Sequence, residues 1–460
     1  MVEGRTHRPI IRTSQCQSCD VCIRGCPAEF IPEYRLEVES LRGTLYHGKM
    51  EGKITEGKIL LPPCQQACPI HQDARGYVAL IAKGKFKEAL ELVREANPLP
   101  AVCGFICHHP CEEACLREDV DHPIPIRMLK RFIAEYNRKR ERPKKGPKRK
   151  RREKILVVGS GPAGLACAND LSLLGFRVTI FEALPVLGGM LRVGIPEFRL
   201  PREILQMEIE GIMELGVEMK IDHPFRFDGN GRTLKKTGFE AIFLSMGAHR
   251  SSKLNIPGES LRGVFPGVEF LRDINLGKKV ALGKKVAIIG GGNVAIDVAR
   301  SVLRLGSKQV DLYYRRSRQE MPAISEEVEE AIREGVKIHL LSAPVRMTGR
   351  GEKAIGMECI RMRLGEPDEK GRKKPIPIQG SNFKIVAETI ISAIGQSVDQ
   401  RPLKGLKKNS DGTIHVDSET GETSMEGVFA GGDMVTGPGW AIDAIAAGKR
   451  GAEAIAEYLS

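Results

Sequence analysis

Ten of the twelve cysteines fall before residue 116, and their spacing separates them into two groups. Cys16, Cys19, Cys22 and Cys26 run C-x2-C-x2-C-x3-C-P into Pro27. That run suits iron–sulfur ligation, in which three thiolates hold one 4Fe–4S cubane and the fourth usually serves another. The second group is Cys64, Cys68, Cys103, Cys107, Cys111 and Cys115. In a reducing compartment such clustering reads as metal ligation rather than disulfide bonding. Zinc is the alternative for either group, although zinc ligands more often come as two C-x2-C pairs.

Two glycine turns suit a different chemistry, the binding of phosphates. Gly159, Gly161 and Gly164, with Pro162 and Ala163 among them, form G-x-G-x-x-G directly after the apolar run ILVV. The first glycine permits the tight turn, the second admits a pyrophosphate to the backbone, and the third lets helix and strand pack closely. The positive end of the following helix then faces the phosphates. Glu182 ends the next strand-like stretch, where a carboxylate can accept hydrogen bonds from ribose hydroxyls. Gly290, Gly292 and Ala295, with Asn293 and Val294 among them, repeat the turn after KVAII. At the equivalent strand end stand Tyr314, Arg315, Arg316, Ser317 and Arg318. Guanidinium groups there bind a 2′-phosphate that a carboxylate would repel, which favours NADPH over NADH while leaving NADH possible. The plainer readings are glycine turns without a ligand and arginines that merely face solvent.

Several cores are needed to position these groups. A chain of 460 residues is expected to form two or three domains. With 41% hydrophobic residues and 50 glycines it can bury them, and it holds no apolar run of the roughly 18 residues that a membrane span needs. The opening MVEGRTHRPIIRTSQC has no apolar signal core, so a cytoplasmic location is expected. Most of the net charge of +13 is local: Arg138 to Lys154 hold twelve Lys and Arg against Glu141 and Glu153. With two prolines, a glycine and no apolar face, that run reads as a solvated linker. A docking patch for an acidic partner is the sharper reading, and no nucleic-acid partner is expected.

The fold class expected is α/β, with two Rossmann-like dinucleotide-binding domains, one inserted in the other, preceded by an α-helical domain. That the inserted domain is the NAD(P) domain, the outer one the FAD domain and the helical one an iron–sulfur domain is what a family resemblance carried by the motifs from CQQACP to GVFAGGD implies. The boundaries expected are a cysteine segment at 1–62, a helical domain at 63–137 and a basic linker at 138–152. An FAD-binding part follows at 153–275, an NAD(P)H-binding domain at 276–380, and the second FAD-binding part at 381–460.

CQQACP, NPLPAVCGF, GSGPAGLACA, GGMLRVGIPEFRLP, GGGNVAIDVAR, YYRRSRQEMPA and GVFAGGD occur in one order between about Pro63 and Ser460. This set resembles the small (beta) subunit of glutamate synthase. Its relatives include the NADPH-binding subunit of bifurcating ferredoxin:NADP transhydrogenase and the N-terminal half of dihydropyrimidine dehydrogenase. The resemblance implies FAD on the first glycine turn, NAD(P)H on the second and iron–sulfur clusters in the helical domain. It places Gly189, Leu191, Gly194 and Ile195 along the isoalloxazine, and Gly432 and Asp433 by the ribityl–pyrophosphate. The candidate cofactor-binding set also includes Arg192, Gly247, Gly395, Ala441 and Ile442. GGMLRVGIPEFR has no cysteine, so a dithiol relay beside the flavin is excluded, and Cys167 and Cys359 read as small core residues.

The same resemblance assigns Cys68, Cys107, Cys111 and Cys115 to one 4Fe–4S cluster. Relatives usually carry a C-x2-C pair ahead of the Cys64 position, and some complete that second cluster with Gln or Glu near the position of Lys130. Here the pair is missing, because HGKMEGKITEGKILLPP contains no cysteine. Cys16, Cys19 and Cys22, with Cys64 or Cys26, are expected to supply the missing ligands, which makes two clusters and leaves the role of Cys103 open. The activity implied is hydride transfer from NADPH to FAD, with no side-chain acid or base, and then single electrons to the clusters and to a partner subunit or ferredoxin. Met1-Val2 offers no cysteine nucleophile for glutamine hydrolysis, so the final chemistry is expected on that partner. The alternatives are a glutamate synthase small subunit proper and, from another class, a nucleic-acid-binding or non-catalytic scaffold subunit.

Overall fold

The computed structural model describes residues 61–137, 151–226, 238–368 and 371–460, together with the short strands Val2–Glu3, Ile10–Ile11, Lys49–Met50 and Lys53–Ile54. Cys16, Cys19, Cys22, Cys26 and residues 138–150 of the basic run lie outside the described residues. Contacts divide the chain into two units, 1–144 with 440–446 and 145–439 with 447–460. Among the described residues no helix is long and apolar enough to cross a membrane.

The described part of the smaller unit is helical: α1 (Pro63–Gln66), α2 (Ala74–Ala82), α3 (Phe86–Ala96), α4 (Pro100–Ile106), α5 (Pro110–Glu113) and α6 (Ile126–Tyr136). Three of these begin on proline, whose missing N–H is harmless in a first turn. Asp73 caps α2 by accepting from the Gly76 N–H at 2.9 Å. Tyr77, Val93, Leu99 and Ile133 are fully buried, and the Tyr77 hydroxyl donates to the Ile126 carbonyl at 3.0 Å. A Cβ on Gly104 would lie 2.7 Å from the Arg131 Cα, so only glycine lets α4 and α6 approach this closely.

The larger unit holds two parallel five-stranded sheets. The first takes β1 (Lys154–Val158), β2 (Arg177–Phe181), β3 (Glu218–Lys220), β4 (Ala241–Leu244) and a strand at Val428–Ala430, which lies at the edge beside β4. Helix α7 (Pro162–Leu173) connects β1 to β2, and α8 (Met190–Val193) and α9 (Arg202–Met213) precede β3. Ile155, Leu156, Val157 and Val158 are all buried, the continuous apolar run of a strand covered on both faces.

The second sheet takes β5 (Val264–Pro266), β6 (Lys285–Ile289), β7 (Gln309–Tyr313), β8 (Lys337–His339) and a strand at Thr389–Ser392, which pairs with both β5 and β6. Helices α10 (Gly267–Asn275), α11 (Asn293–Arg304) and α12 (Ser325–Arg333) accompany it. Its strands therefore come from both sides of the 276–380 segment expected from sequence. Val264–Pro266 is too short to show a period, and the apolar TIIS stretch suits either sheet until its pairing is known.

A third, antiparallel sheet was not expected: Ser342–Arg350, Lys353–Pro367, Lys373–Pro377 and Phe383–Val386, with the second strand pairing all the others. Cys167 and Cys359 are fully buried.

A buried ionic network ties the loop after α8 to the second sheet's helices. Arg199 donates to both Asp297 carboxylate oxygens at 2.9 and 2.8 Å and pairs with Glu327 at 3.1 Å. Arg300 pairs with Glu327 and, at 2.8 Å, with Glu334, and Arg304 pairs with Glu334 at 2.6 Å. The Arg304 guanidinium also lies over the Phe198 ring at 4.0 Å. Asp297→Ala strands the buried Arg199 charge and is expected to cost about 3–5 kcal/mol of unfolding free energy in chemical denaturation. Arg199→Met combined with Asp297→Leu, which leaves neither charge, should recover most of that loss.

Candidate cofactor sites

The first glycine turn lies where β1 passes into α7. Gly159 has φ +102°, and a Cβ there would come within 2.4 Å of the Ser245 carbonyl oxygen. A Cβ on Gly164 would lie 2.0 Å from the Gly159 oxygen. Gly161 differs: a Cβ would meet nothing within 4 Å, and no side chain caps the helix that begins at Pro162. Open space over uncapped helical N–H groups fits a pyrophosphate. Ala163 is buried beside this turn, where a Cβ on Gly448 would lie 2.1 Å from its carbonyl.

Glu182 follows β2 and is buried, and its carboxylate accepts from the Ser160 N–H at 2.9 Å, the Ser160 hydroxyl and the Leu184 N–H at 2.9 Å. Two carboxylate oxygens offer about four acceptor positions, so these three bonds leave capacity for a ribose hydroxyl. Ser160, absent from the sequence expectations, also accepts from the Gly188 N–H at 2.9 Å and so pins the GGMLRVGIPEFR segment to the glycine turn. A Cβ on Gly189, at φ +51°, would lie 2.8 Å from the Gly161 Cα, so the two segments meet.

Leu191 and Gly194 are buried, while Arg192 and Ile195 are partly exposed. Arg202 and Asn275 grip this loop: Arg202 donates to the Ile195 carbonyl at 2.9 Å and to Asn275 Oδ1 at 2.8 Å, and Asn275 donates to the Val193 carbonyl at 2.9 Å. Neither was singled out from sequence, since polar side chains that hold backbone carbonyls carry no spacing signal.

Met246, next to Gly247, donates its N–H to the Met434 sulfur at 3.4 Å, which brings the Gly247 turn to Gly432 and Asp433. Gly247, Gly395 and Gly432 have φ of +65°, +147° and +74°. The His249 ring approaches a Cβ position on Gly247 to 3.4 Å, and burial pushes this histidine below its ordinary range. The Gly159, Gly189, Gly247 and Gly432 segments thus gather at the carboxyl ends of the first sheet's strands, where α/β folds bind ligands. Gly395 follows the Thr389–Ser392 strand and its carbonyl accepts from the Ser252 N–H at 2.9 Å. Ala441 and Ile442 belong to the segment 440–446 that groups with the helical unit.

The second turn repeats the plan. A Cβ on Gly290 would lie 2.2 Å from the Ala393 carbonyl, whereas one on Gly292 would meet only Pro322, at 3.8 Å. No side chain caps α11. Ala295 is fully buried, Val294 packs against the sheet's core, and Asn293 Oδ1 accepts from the Ile324 N–H at 3.1 Å. The two adjacent arginines after β7 separate sharply. Arg315 is exposed, whereas Arg316 is buried, donating to the Lys373 carbonyl and to Asp368, each at 2.8 Å. Arg316 therefore braces the third sheet and Arg318 pairs with Glu329 at 3.1 Å, so the exposed Arg315 is the remaining candidate for a phosphate.

In the helical unit Cys68, Cys103, Cys107, Cys111 and Cys115 are buried and Cys64 is partly buried. Burial pushes the Cys111 thiol up to about 12 and raises Cys107, with the Lys130 charge opposing both shifts. Metal ligation there must displace protons. Among the described residues no three Cys, His, Asp or Glu side chains converge as ligands of a single metal ion. Buried thiols of this number and spacing fit an iron–sulfur cluster as donors. Lys130 on α6 is buried among them, and the sulfurs of Cys103, Cys107, Cys68 and Cys111, once deprotonated, more than offset the burial that would discharge it. His108, next to Cys107, stacks on Trp440 with ring centroids 4.3 Å apart.

Comparison with known proteins agrees with both units. Residues 153–448 match the family described as pyridine nucleotide-disulphide oxidoreductase, and residues 59–142 match dihydropyrimidine dehydrogenase domain II, 4Fe–4S cluster. The chain is 43% identical over 432 residues to the NADP(+)-dependent formate dehydrogenase subunit beta of Moorella thermoacetica, covering 88% of this chain and 61% of that one. It is 38% identical over 477 residues to the NADPH-Fe(3+) oxidoreductase subunit beta of Geobacter sulfurreducens, covering 96% and 70%. It is 31% identical over 420 residues to the glutamate synthase (NADPH) small chain of Escherichia coli, covering 86% and 89%. Among solved structures, FprA of Mycobacterium tuberculosis in complex with NADPH superposes with a TM-score of 0.58 at 20% identity over 67% of this chain and 85% of that one, a likeness of fold. The chain belongs to the pyridine nucleotide-disulphide oxidoreductase family, as an iron–sulfur flavoprotein oxidoreductase of the glutamate synthase small-chain type.

Proposed function

We propose that this chain is the nucleotide-oxidising subunit of a larger redox complex, binding FAD at the Gly159 turn, NADPH at the Gly290 turn and 4Fe–4S clusters on its cysteines. The observation that carries this reading is that two glycine turns of one plan end their next strands in opposite charge, Glu182 at the first and the exposed Arg315 at the second. A carboxylate suits ribose hydroxyls, and a guanidinium suits a 2′-phosphate. FAD, when bound, supplies the exchange between a two-electron hydride and single electrons. The chain's own part is positional. Gly161 and Gly292 leave room for phosphates, Ser160 holds Glu182 against the turn, and Arg202 with Asn275 fixes the loop of Leu191, Gly194 and Ile195. Orientation of this kind, rather than an acid or base, is what hydride transfer asks of a protein.

Cys68, Cys107, Cys111 and Cys115 are the proposed ligands of the helical unit's cluster. A second cluster would take Cys16, Cys19 and Cys22 with Cys64 or Cys26. The acceptor is proposed to be a partner subunit, since relatives named as subunits of formate dehydrogenase and of NADPH-Fe(3+) oxidoreductase share most of this chain. A glutamate synthase small chain proper is the second reading, favoured by the 89% coverage of that protein. Glutamine-dependent reduction of 2-oxoglutarate, on adding a glutamate synthase large subunit, would select it.

Three substitutions test the assignments. Arg315→Ala should weaken NADPH by about 1.5–3 kcal/mol, the range for a hydrogen bond to a charged group, and leave NADH nearly unchanged in stopped-flow reduction of bound flavin. Equal weakening of both nucleotides would sink the assignment, and Arg316→Ala should instead lower thermal stability. Cys68→Ala should remove about four irons per chain by iron analysis, the content of one cubane, while flavin absorbance remains.

A further inference from the structure

We propose that Lys130 is the built-in counter-charge of the helical unit's 4Fe–4S cluster and holds that cluster's reduction potential up. The inference rests on the cluster assignment above and concerns a residue that no ligand role requires. Lys130 is only 5% exposed, on the face of α6 that also buries Ile126, Ile133 and Ala134. Its place follows from the backbone approach at Gly104, which brings α4 against Arg131 and so sets Cys103 and Cys107, on either side of Gly104, beside the preceding residue of α6. Cys68 and Cys111 complete the set of groups that act most strongly on the ammonium, and no carboxylate is among them.

A lysine buried among neutral thiols would have nothing to offset the loss of its hydration. A cubane held by four thiolates carries net negative charge, which offsets it fully. Reduction adds one electron and no proton, so the negative charge beside Lys130 grows and the fixed cation stabilises the reduced form more than the oxidised one. Removing the cation must therefore move the potential in the negative direction.

The test is an EPR-monitored redox titration of the full chain after anaerobic reconstitution, with the helical unit's signal assigned by its loss in Cys68→Ala. Lys130→Met is expected to keep iron and flavin while shifting the oxidised-to-reduced ratio at fixed poise by about tenfold, which is about 59 mV for one electron. Lys130→Arg, which keeps the charge, should titrate with the parent. A Lys130→Met protein with full iron and the parent's potential overturns the inference and leaves the cluster assignment intact. If Lys130→Met loses the cluster, Lys130→Arg decides: retention at the parent potential supports the counter-charge, and loss overturns it. A reconstituted parent without iron on these cysteines removes the assignment itself.

Discussion

The carbonyl oxygen of Ser245 stands 2.4 Å from where a Cβ on Gly159 would be, and the Ala393 carbonyl bears the same relation to Gly290 at 2.2 Å. In each sheet the strand that precedes the glycine turn can pass into its helix only by coming this close to the backbone beyond a neighbouring strand. That contact aims the N-termini of α7 and α11 past the ends of their sheets, with the open glycines Gly161 and Gly292 at their tips. The rest of the larger unit is arranged about those two points. Strand ends bring Glu182 and Arg315 to them, and Ser160 draws in the loop that starts at Gly188.

Between the two sheets' elements lies a network of buried charge, and its value is better understood as specificity than as stability. Burying Arg199, Asp297 and Arg300 costs hydration that apolar side chains would not lose. What the network does is fix one arrangement: Asp297 and Arg300 project from α11 one turn apart, so Arg199 and Glu327 fit only in a single register. The loop containing Leu191, Gly194 and Ile195 is thereby held from two sides, by Arg199 towards α11 and by Arg202 with Asn275 towards α10. A site whose work is orientation depends on such support.

The helical unit solves a different problem, that of keeping thiols inside a small core. Prolines at the first turns of α1, α4 and α5 break it into short segments; Cys64, Cys103 and Cys111 lie within these helices, and Cys68, Cys107 and Cys115 just past their ends. The thiols are buried with Lys130, whose charge opposes the upward shifts of Cys107 and Cys111, so this cation favours anionic ligands there. The stacked pair of His108 and Trp440 adds a flat apolar contact beside Cys107.

Much of this was legible in the residues themselves, because the signals are local. A glycine turn between an apolar run and a helix, the cysteine spacing and the strand-end charges each occupy a few adjacent positions, and the alternation of strand and helix follows from periodicity. The lone Cys167 and Cys359 were likewise readable as core from their apolar surroundings. What lay beyond the sequence was pairing between distant segments. TIIS reads as a strand of either sheet until its partners β5 and β6 are seen. Arg315 and Arg316 are identical neighbours in the chain, yet the bend that follows β7 leaves one exposed and turns the other to the third sheet, where it meets Asp368 and the Lys373 carbonyl. Ser160 and Asn275 act through hydrogen bonds to remote segments, and Lys130 is distinguished by its burial among sulfurs. Local chemistry is carried by composition and spacing, whereas burial and partnership exist only once the chain has closed on itself.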